Sequence, residues 1–271
     1  MELGVIIGLN AHLEAKLAQL AELGFTSCQL NYRYTEAMTD DTADWVKSLL
    51  KRYGIHLSTA WCGWSEPACW NFTEGPLTLG LVPEAYRETR IKELLGGSDF
   101  AAKLGACQIA THVGFIPEDP NTELYAEVVQ AVRTVAERCA QNEQYFLFET
   151  GQETPVTLRR VIEDVGTGNL GINLDSANLI LYGKGNPVDA LDVFGQYVRD
   201  IHAKDGKYPT NGRELGEETV VGKGKVNFPA FIEKLKEIGY NGTLIIEREI
   251  TGEQQIKDIN DTKTYLEELI G

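Results

Sequence analysis

The sequence lacks any long apolar run. No stretch of its 271 residues approaches the roughly 20 consecutive apolar residues with which a helix crosses a bilayer. The first residues, MELGVIIGLN, also lack the positive start and the long apolar centre of a secretory signal peptide, and they are more typical of an opening strand. We therefore expect a cytoplasmic protein with no membrane partner.

Cysteine and positive charge are scarce as well. Five cysteines, an odd number scattered through mostly apolar segments, favour reduced thiols over a disulfide framework. Cys62 and Cys69 share one segment, but no further Cys or His pair stands at the spacing that completes a structural zinc site. With 25 Lys and Arg against 40 Asp and Glu, the net charge is −15. This charge argues against a nucleic-acid partner, because phosphate backbones are held by Lys and Arg.

The sequence does contain a regular alternation of short apolar runs and longer amphipathic segments. Such alternation predicts parallel strands joined by helices, and eight repeats predict a closed (β/α)₈ TIM barrel, for which about 250 residues suffice. We therefore expect one domain over residues 1–271. The eight predicted strands are residues 3–8, 27–31, 56–61, 107–112, 145–150, 170–175, 198–203 and 243–248.

The segments between these strands repeat apolar residues every three or four positions, as amphipathic helices do, and several of them end in Gly. Two long segments have no such period, residues 62–84 after the third strand and residues 204–227 after the seventh. Loops that follow barrel strands form the face on which TIM barrels build their active sites. We predict helices at residues 13–24, 42–54, 90–105, 124–140, 154–166, 228–239 and 253–271.

An acidic or imidazole side chain stands at the end of each of the last four predicted strands. Neighbouring strand ends converge on the mouth of a barrel, so residues distant in sequence meet there. Three carboxylates and one imidazole suit Mn²⁺, Mg²⁺, Co²⁺ or Zn²⁺, and the carboxylates would repel one another without a cation. One such residue alone would more simply cap a helix, but four in consecutive units predict a metal site. The four residues are Glu149, Asp175, His202 and Glu247.

With these residues the chain resembles the sugar phosphate isomerase/epimerase group of the xylose-isomerase-like TIM barrels. That group includes ketose 3-epimerases, hydroxypyruvate isomerase, inosose dehydratase and the endonuclease IV type of DNA-repair enzyme. The resemblance spans essentially the whole chain and is most specific in ETGQE (149–153), NLDSANLILYGKG (173–185), HAKDG (202–206), VGKGKVNF (221–228) and GYNGTLIIERE (239–249). It implies that the four residues bind one divalent metal, with Mn²⁺ as the first choice and Co²⁺, Mg²⁺ or Zn²⁺ as the alternatives. It also implies that Glu149 and Glu247 exchange protons with the substrate.

The implied reaction is isomerisation or epimerisation of a small sugar, keto sugar or sugar phosphate. Moving a proton beside a sugar carbonyl requires a base and a group that stabilises the enediolate, and a metal supplies the second. The same residues serve elimination in inosose dehydratase and in C-glycoside cleavage, so a lyase is the alternative. An endonuclease and a non-catalytic sugar-binding barrel are weaker alternatives. The charge opposes the endonuclease, as does Asn178, which stands where many members of the group have a His.

Four residues near the predicted mouth are candidates for substrate contact. His112 ends the fourth predicted strand, although a structural role fits it about as well. Asn178 can hydrogen-bond a hydroxyl but cannot act as a general base. Trp61 and Trp64 belong to an aromatic segment whose rings can stack on a sugar, with core or subunit packing as the alternative.

The segment after the seventh strand offers two more candidates. Asp205 and Arg213 can bind substrate oxygens or a phosphate, and Asp205 ranks first because it lies within HAKDG. Lys204 ranks below it, since solvent exposure explains a lone lysine in a loop. The expected partner is thus a small carbohydrate, and self-association into a homo-oligomer stays open.

Overall fold

The chain folds as a closed barrel of eight parallel strands. The computed structural model describes residues 1–35 and 38–271. Its strands are β1 (Glu2–Gly8), β2 (Ser27–Arg33), β3 (His56–Gly63), β4 (Gln108–Thr111), β5 (Tyr145–Glu149), β6 (Leu170–Asp175), β7 (Val198–Ala203), β8 (Asp205–Gly206), β9 (Glu218–Thr219) and β10 (Thr243–Ile246). Around the barrel the order is β1, β10, β7, β6, β5, β4, β3, β2, and β8 pairs only with β9. The eight predicted strands and the (β/α)₈ fold are confirmed.

The helices begin and end where local chemistry dictates. The hydroxyls of Thr39 and Thr122 accept hydrogen bonds from the backbone three residues on, and so cap two helix N-termini. Gly105 and Gly166 end two helices in the left-handed region at φ 80° and 65°. The helices are α1 (Leu13–Glu22), α2 (Asp40–Tyr53), α3 (Gly75–Thr78), α4 (Glu84–Leu104), α5 (Glu123–Gln141), α6 (Pro155–Val165), α7 (Asn178–Leu181), α8 (Pro187–Phe194), α9 (Phe228–Glu237) and α10 (Glu253–Ile270).

One helix, α4, starts earlier than the sequence predicts, and three short helices, α3, α7 and α8, are missing from the prediction. Helix α4 begins at Glu84 rather than at residue 90, directly after Pro83, whose fixed φ suits a helix start. The three missing helices have only four to eight residues, which are too few to display an amphipathic period. Among the described residues, no helix has the length and apolar character needed to cross a membrane.

A buried polar layer lies inside the barrel. Gln29 Nε2 donates to Asn173 Oδ1 at 3.0 Å and to Asp200 Oδ2 at 3.2 Å. The Thr59 hydroxyl donates to the same Asp200 oxygen at 2.6 Å. Burial raises the pKa of Asp200, although these hydrogen bonds oppose the shift. The layer joins β2, β3, β6 and β7 across the barrel. It holds the Gln29 amide by its nitrogen, so that the amide oxygen can accept a hydrogen bond from a further donor.

Candidate metal centre

Four side chains from neighbouring strands converge at the carboxyl end of the barrel. Glu149 and Asp175 end β5 and β6, and Glu247 follows β10 directly. His202 lies in β7, where it is paired in register with Asp175. Each of the four offers one ligand atom, and these atoms all lie within 4.8 Å of one another. The residues that the sequence predicts as metal ligands are therefore brought together.

The imidazole of His202 is the centre of the cluster. Its Nδ1 lies 3.1 Å from Glu149 Oε1 and 3.2 Å from Glu247 Oε2. The distance from Nδ1 to Asp175 Oδ2 is 3.7 Å. These spacings suit atoms that share one ion at about 2.0–2.2 Å, as the ligands of a divalent transition metal do.

Two of the three carboxylates are oriented by hydrogen bonds on their second oxygens. Asp175 Oδ1 accepts the backbone N–H groups of Ala177 and Asn178, each at 2.8 Å, so that Oδ2 faces the cluster. Glu149 Oε2 accepts the indole N–H of Trp61, so that Oε1 faces His202. Partners of this kind hold metal ligands in place and tune their basicity.

The polar layer orients His202 in the same way. The Gln29 amide oxygen lies 2.7 Å from His202 Nε2, so the ring donates its Nε2–H to Gln29. Nδ1 is therefore left to face the three carboxylates. Burial lowers the pKa of His202, but Glu149 and Glu247 outweigh burial and raise this pKa well above its usual range. The carboxylates thus draw positive charge to Nδ1, where a proton would compete with a divalent cation.

The donor atoms fit a bound cation. Within the described part of the chain, Asp175 Oδ2, His202 Nδ1 and Glu247 Oε2 are buried and have no hydrogen-bond partner. Buried polar atoms without partners are rare in folded proteins, and a shared cation would satisfy all three. Burial raises the pKa of Glu247, but Lys204 and His202 outweigh it and hold this pKa at about 2. The Glu247 carboxylate is therefore ionised at neutral pH.

A cavity of about 370 Å³ opens above the cluster. Three predicted substrate contacts, Trp61, His112 and Asn178, lie in its wall. His112 Nε2 lies 3.4 Å from Glu149 Oε2, and both side chains are buried. Burial lowers the pKa of His112, but the Glu149 carboxylate outweighs burial and raises it.

Trp64, a further candidate for substrate contact, lies outside this cavity. Its indole N–H donates to the His112 carbonyl at 3.2 Å, and its ring stacks on Trp70 with centroids 6.2 Å apart. The guanidinium carbon of Arg90 lies 4.1 Å from the centroid of the Trp64 ring. Trp64 is only 3% exposed, and it is Trp70 that reaches the cavity.

Asp205 and Arg213, two further candidates for substrate contact, also lie outside the cavity. The Asp205 carboxylate is turned into its own loop, where it accepts backbone N–H groups from Gly222 and Gly224 at 3.0 and 2.9 Å. Arg213 is exposed, and its backbone N–H donates to Asn211 Oδ1 at 3.0 Å. Asp205 therefore orders the loop, and Arg213 lies at the surface.

Lys204 is not the solvent-exposed lysine that the sequence favours. Its side chain is buried and reaches the cavity, and its Nζ lies 2.7 Å from Glu249 Oε1 and 3.4 Å from Glu247 Oε2. Strand alternation indicates the orientation of Lys204, because side chains two residues apart in a strand point to the same side. Lys204 is two residues beyond His202, and Asp205 is three. Applied beyond the end of β7, the alternation predicts Lys204 inside and Asp205 outside.

The fold and the cluster together define a class of protein, the TIM barrel with a candidate divalent-metal centre at the carboxyl ends of its strands. The family model described as xylose isomerase-like TIM barrel matches residues 17–269. The chain belongs to this family.

Two proteins that are more than 25% identical to this chain align with nearly its whole length. The crystal structure of a xylose isomerase domain protein from Planctomyces limnophilus has a TM-score of 0.93 and 35% sequence identity, over 99% of this chain and 96% of that one. An uncharacterized protein of Methanocaldococcus jannaschii is 26% identical over 288 aligned residues, which cover 100% of this chain and 89% of the relative.

More distant relatives have named activities. An inosose dehydratase of Clostridium botulinum is 20% identical over 90% of this chain and 84% of its own length. The crystal structure of a D-psicose 3-epimerase has a TM-score of 0.74 at 18% identity, over 100% of both chains. At this identity the epimerase shows the shared fold alone. The family neighbourhood thus contains sugar epimerases and dehydratases.

Proposed function

We propose that the chain is a divalent-metal-dependent isomerase or epimerase of a small sugar, keto sugar or sugar phosphate. The observation that carries the proposal is the position of Glu149 and Glu247. Glu149 ends β5 and Glu247 directly follows β10, so they lie at the two ends of an arc of four neighbouring strands, with the other two candidate ligands between them. Two carboxylates at opposite ends of the metal centre can act on opposite sides of one substrate carbon.

In this proposal each ligand has a defined task. A divalent cation, for which Mn²⁺ is our first choice, would polarise the substrate oxygens and stabilise the enediolate charge. Asp175 and His202 hold the cation, with the Gln29 amide fixing the ring that presents Nδ1. Glu149 and Glu247 hold it as well and exchange protons with the substrate carbons. The Trp61 hydrogen bond favours the ionised form of Glu149, which a base requires.

Lys204 has a separate task beside the cation. Its ammonium group is buried, faces the cavity and is held by Glu249. Burial lowers the pKa of Lys204, but Glu247 and Asp175 outweigh burial and keep the side chain charged. A fixed positive charge next to the cavity would bind a substrate oxygen that gains negative charge during proton transfer. His112 and Asn178 would bind further hydroxyl groups.

A lyase is the second candidate, and the inosose dehydratases among the relatives favour it. Elimination needs the same enolisation and, in addition, an acid for the leaving group. His112 is placed for this, because it borders the cavity and its raised pKa favours the protonated ring. The two candidates differ in the mass of the product.

Proton exchange tests the proposal directly. The purified protein is analysed for bound metal, loaded with Mn²⁺, and incubated in D₂O with ketoses, keto sugars, sugar phosphates and inososes. We expect deuterium to enter a substrate without net loss of mass. We expect Glu149→Gln and Glu247→Gln to lower the exchange rate at least 100-fold, because a proton-transfer group typically contributes about 10²–10⁴-fold.

Glu163→Gln is the matched control, since Glu163 is an exposed carboxylate that pairs with Arg159 on α6. It should exchange at the wild-type rate. A product that has lost water or an aglycone would contradict the isomerase proposal and support the lyase. Absence of bound metal, together with absence of exchange on the whole panel after loading, would contradict both.

A further inference from the structure

A second cavity adjoins the one above the metal centre. Its volume is about 490 Å³, and three residues, Asn31, Trp61 and Trp70, line both cavities. Each volume falls within the roughly 300–1,000 Å³ of small-molecule sites. Beyond the shared residues, the second cavity extends along the ends of β2 and β3 and the start of the loop that follows β3. We call it the side groove.

Rigid indole rings form one wall of the side groove. Trp61 is fixed by its hydrogen bond to Glu149, and Trp64 by its bond to the His112 carbonyl and by the Arg90 guanidinium. Trp70 stacks on Trp64, yet 46% of its surface is exposed at the boundary between the two cavities. An exposed indole held in place presents a flat face to a ligand, and such faces stack on the C–H surfaces of sugars.

The outer part of the side groove is polar. Arg33 and Glu66 form an ion pair there, with 3.1 Å between the guanidinium nitrogen and Glu66 Oε1. Both side chains remain about half exposed or more, at 48% and 63%, so they keep donors and acceptors free. A ring bound against the tryptophans would meet a guanidinium and a carboxylate at its edge, and this combination suits hydroxyl groups rather than an aromatic edge.

We propose that the side groove is a subsite for a second sugar ring, so that the substrate is a disaccharide or another glycoside with a sugar aglycone. The proposal rests on the proposed function, because it places the reacting ring over the metal centre. The second ring stacks on Trp70 and hydrogen-bonds Arg33 and Glu66. Binding energy from this remote ring then positions the reacting one.

Calorimetric titration of the Mn²⁺-loaded protein tests the subsite without requiring turnover. The probes are methyl β-D-glucoside, with one ring, cellobiose, with two sugar rings, and phenyl β-D-glucoside, with an aromatic second ring. We expect cellobiose to bind at least 10-fold more tightly than the methyl glucoside. Arg33→Ala and Trp70→Ala should each remove most of that preference. Trp45→Ala, which removes an exposed indole outside both cavities, should preserve it.

Equal affinity for one and two sugar rings, or no binding of cellobiose, would overturn the subsite. Tighter binding of phenyl glucoside than of cellobiose would overturn the sugar assignment in favour of an aromatic aglycone. The two proposals fail separately. A protein that prefers cellobiose but exchanges no deuterium contradicts only the proposed reaction, whereas one that exchanges deuterium without the preference contradicts only the subsite.

Discussion

At the residue scale, neighbouring side chains at the end of β7 point in different directions. His202 and Lys204 point into the barrel mouth, and Asp205 turns the other way into its loop. The clustering of the four candidate ligands could be predicted because each stands at the end of a strand whose apolar run is visible in the sequence. The places of Lys204 and Trp70 in the cavity wall were harder to predict, because they depend on the course of the backbone beyond a strand end.

Glu153 is a residue whose burial has a measurable cost. It is 3% exposed, and burial raises its pKa to about 7. The folded protein therefore keeps this proton up to about pH 7, whereas the unfolded chain releases it near 4.5. Because the folded state binds the extra proton, stability from this group falls as pH rises from about 4.5 to 7.

Replacing this carboxyl with an amide should remove the penalty. We expect Glu153→Gln to raise stability at pH 8, by up to about 3 kcal/mol, and to change it little at pH 5. Thermal unfolding of both proteins at the two pH values measures the effect. An equal change at pH 5 and pH 8 would show that packing, and not ionisation, is responsible.

At the element scale, each of the two long loops at the barrel mouth is ordered by one charged side chain. Arg90 on α4 is fully buried, and its guanidinium donates to backbone carbonyls at 2.7–3.0 Å. Those carbonyls belong to Ser65, Pro67, Thr78 and Gly80. Asp205 is the counterpart in residues 204–227. Its Oδ1 also accepts the backbone N–H of Val226 at 3.1 Å.

The sequence predicted that both loops exist but not how they fold. Barrel strands and helices follow from local periodicity, and their bounds agree to within a few residues for most elements. The loops instead depend on single long-range contacts, such as Arg90 with a carbonyl 25 residues away. No local pattern encodes such contacts.

Removing the Asp205 carboxylate should release its loop. We expect Asp205→Ala to lower the free energy of unfolding by about 3 kcal/mol, because several hydrogen bonds to a charged group are lost. We also expect faster limited proteolysis within residues 207–221. Arg213→Ala, an exposed change in the same loop, should leave both unaltered. Equal proteolysis rates in the two variants would contradict this role for Asp205.

At the scale of the whole molecule, a bound metal should stabilise the fold, since its ligands come together only in the closed barrel. At a free Mn²⁺ concentration 100 times Kd, we expect about 2.7 kcal/mol of added stability, which EDTA removes. This gain should shrink as pH falls, because protons compete for His202 Nδ1.

Thermal unfolding with Mn²⁺ and with EDTA, at pH 7.5 and 5.5, measures both effects. His202→Asn should lose the metal-dependent shift. His56→Ala should keep it, because His56 lies at the opposite end of β3 and pairs with Glu2. Equal metal-dependent shifts in His202→Asn and in the wild type would rule out this cluster as the binding site.

The four ligands all lie between residues 149 and 247, whereas Asn31, Trp61 and Trp70 in the cavity walls come from the first half of the chain. Recombination between related barrels could therefore exchange this part of the cavity wall and leave the candidate metal centre intact. Two residues restrict where such a crossover can fall. Gln29 and Trp61 reach from the first half to hydrogen-bond His202 and Glu149, so a donor half must bring both with it.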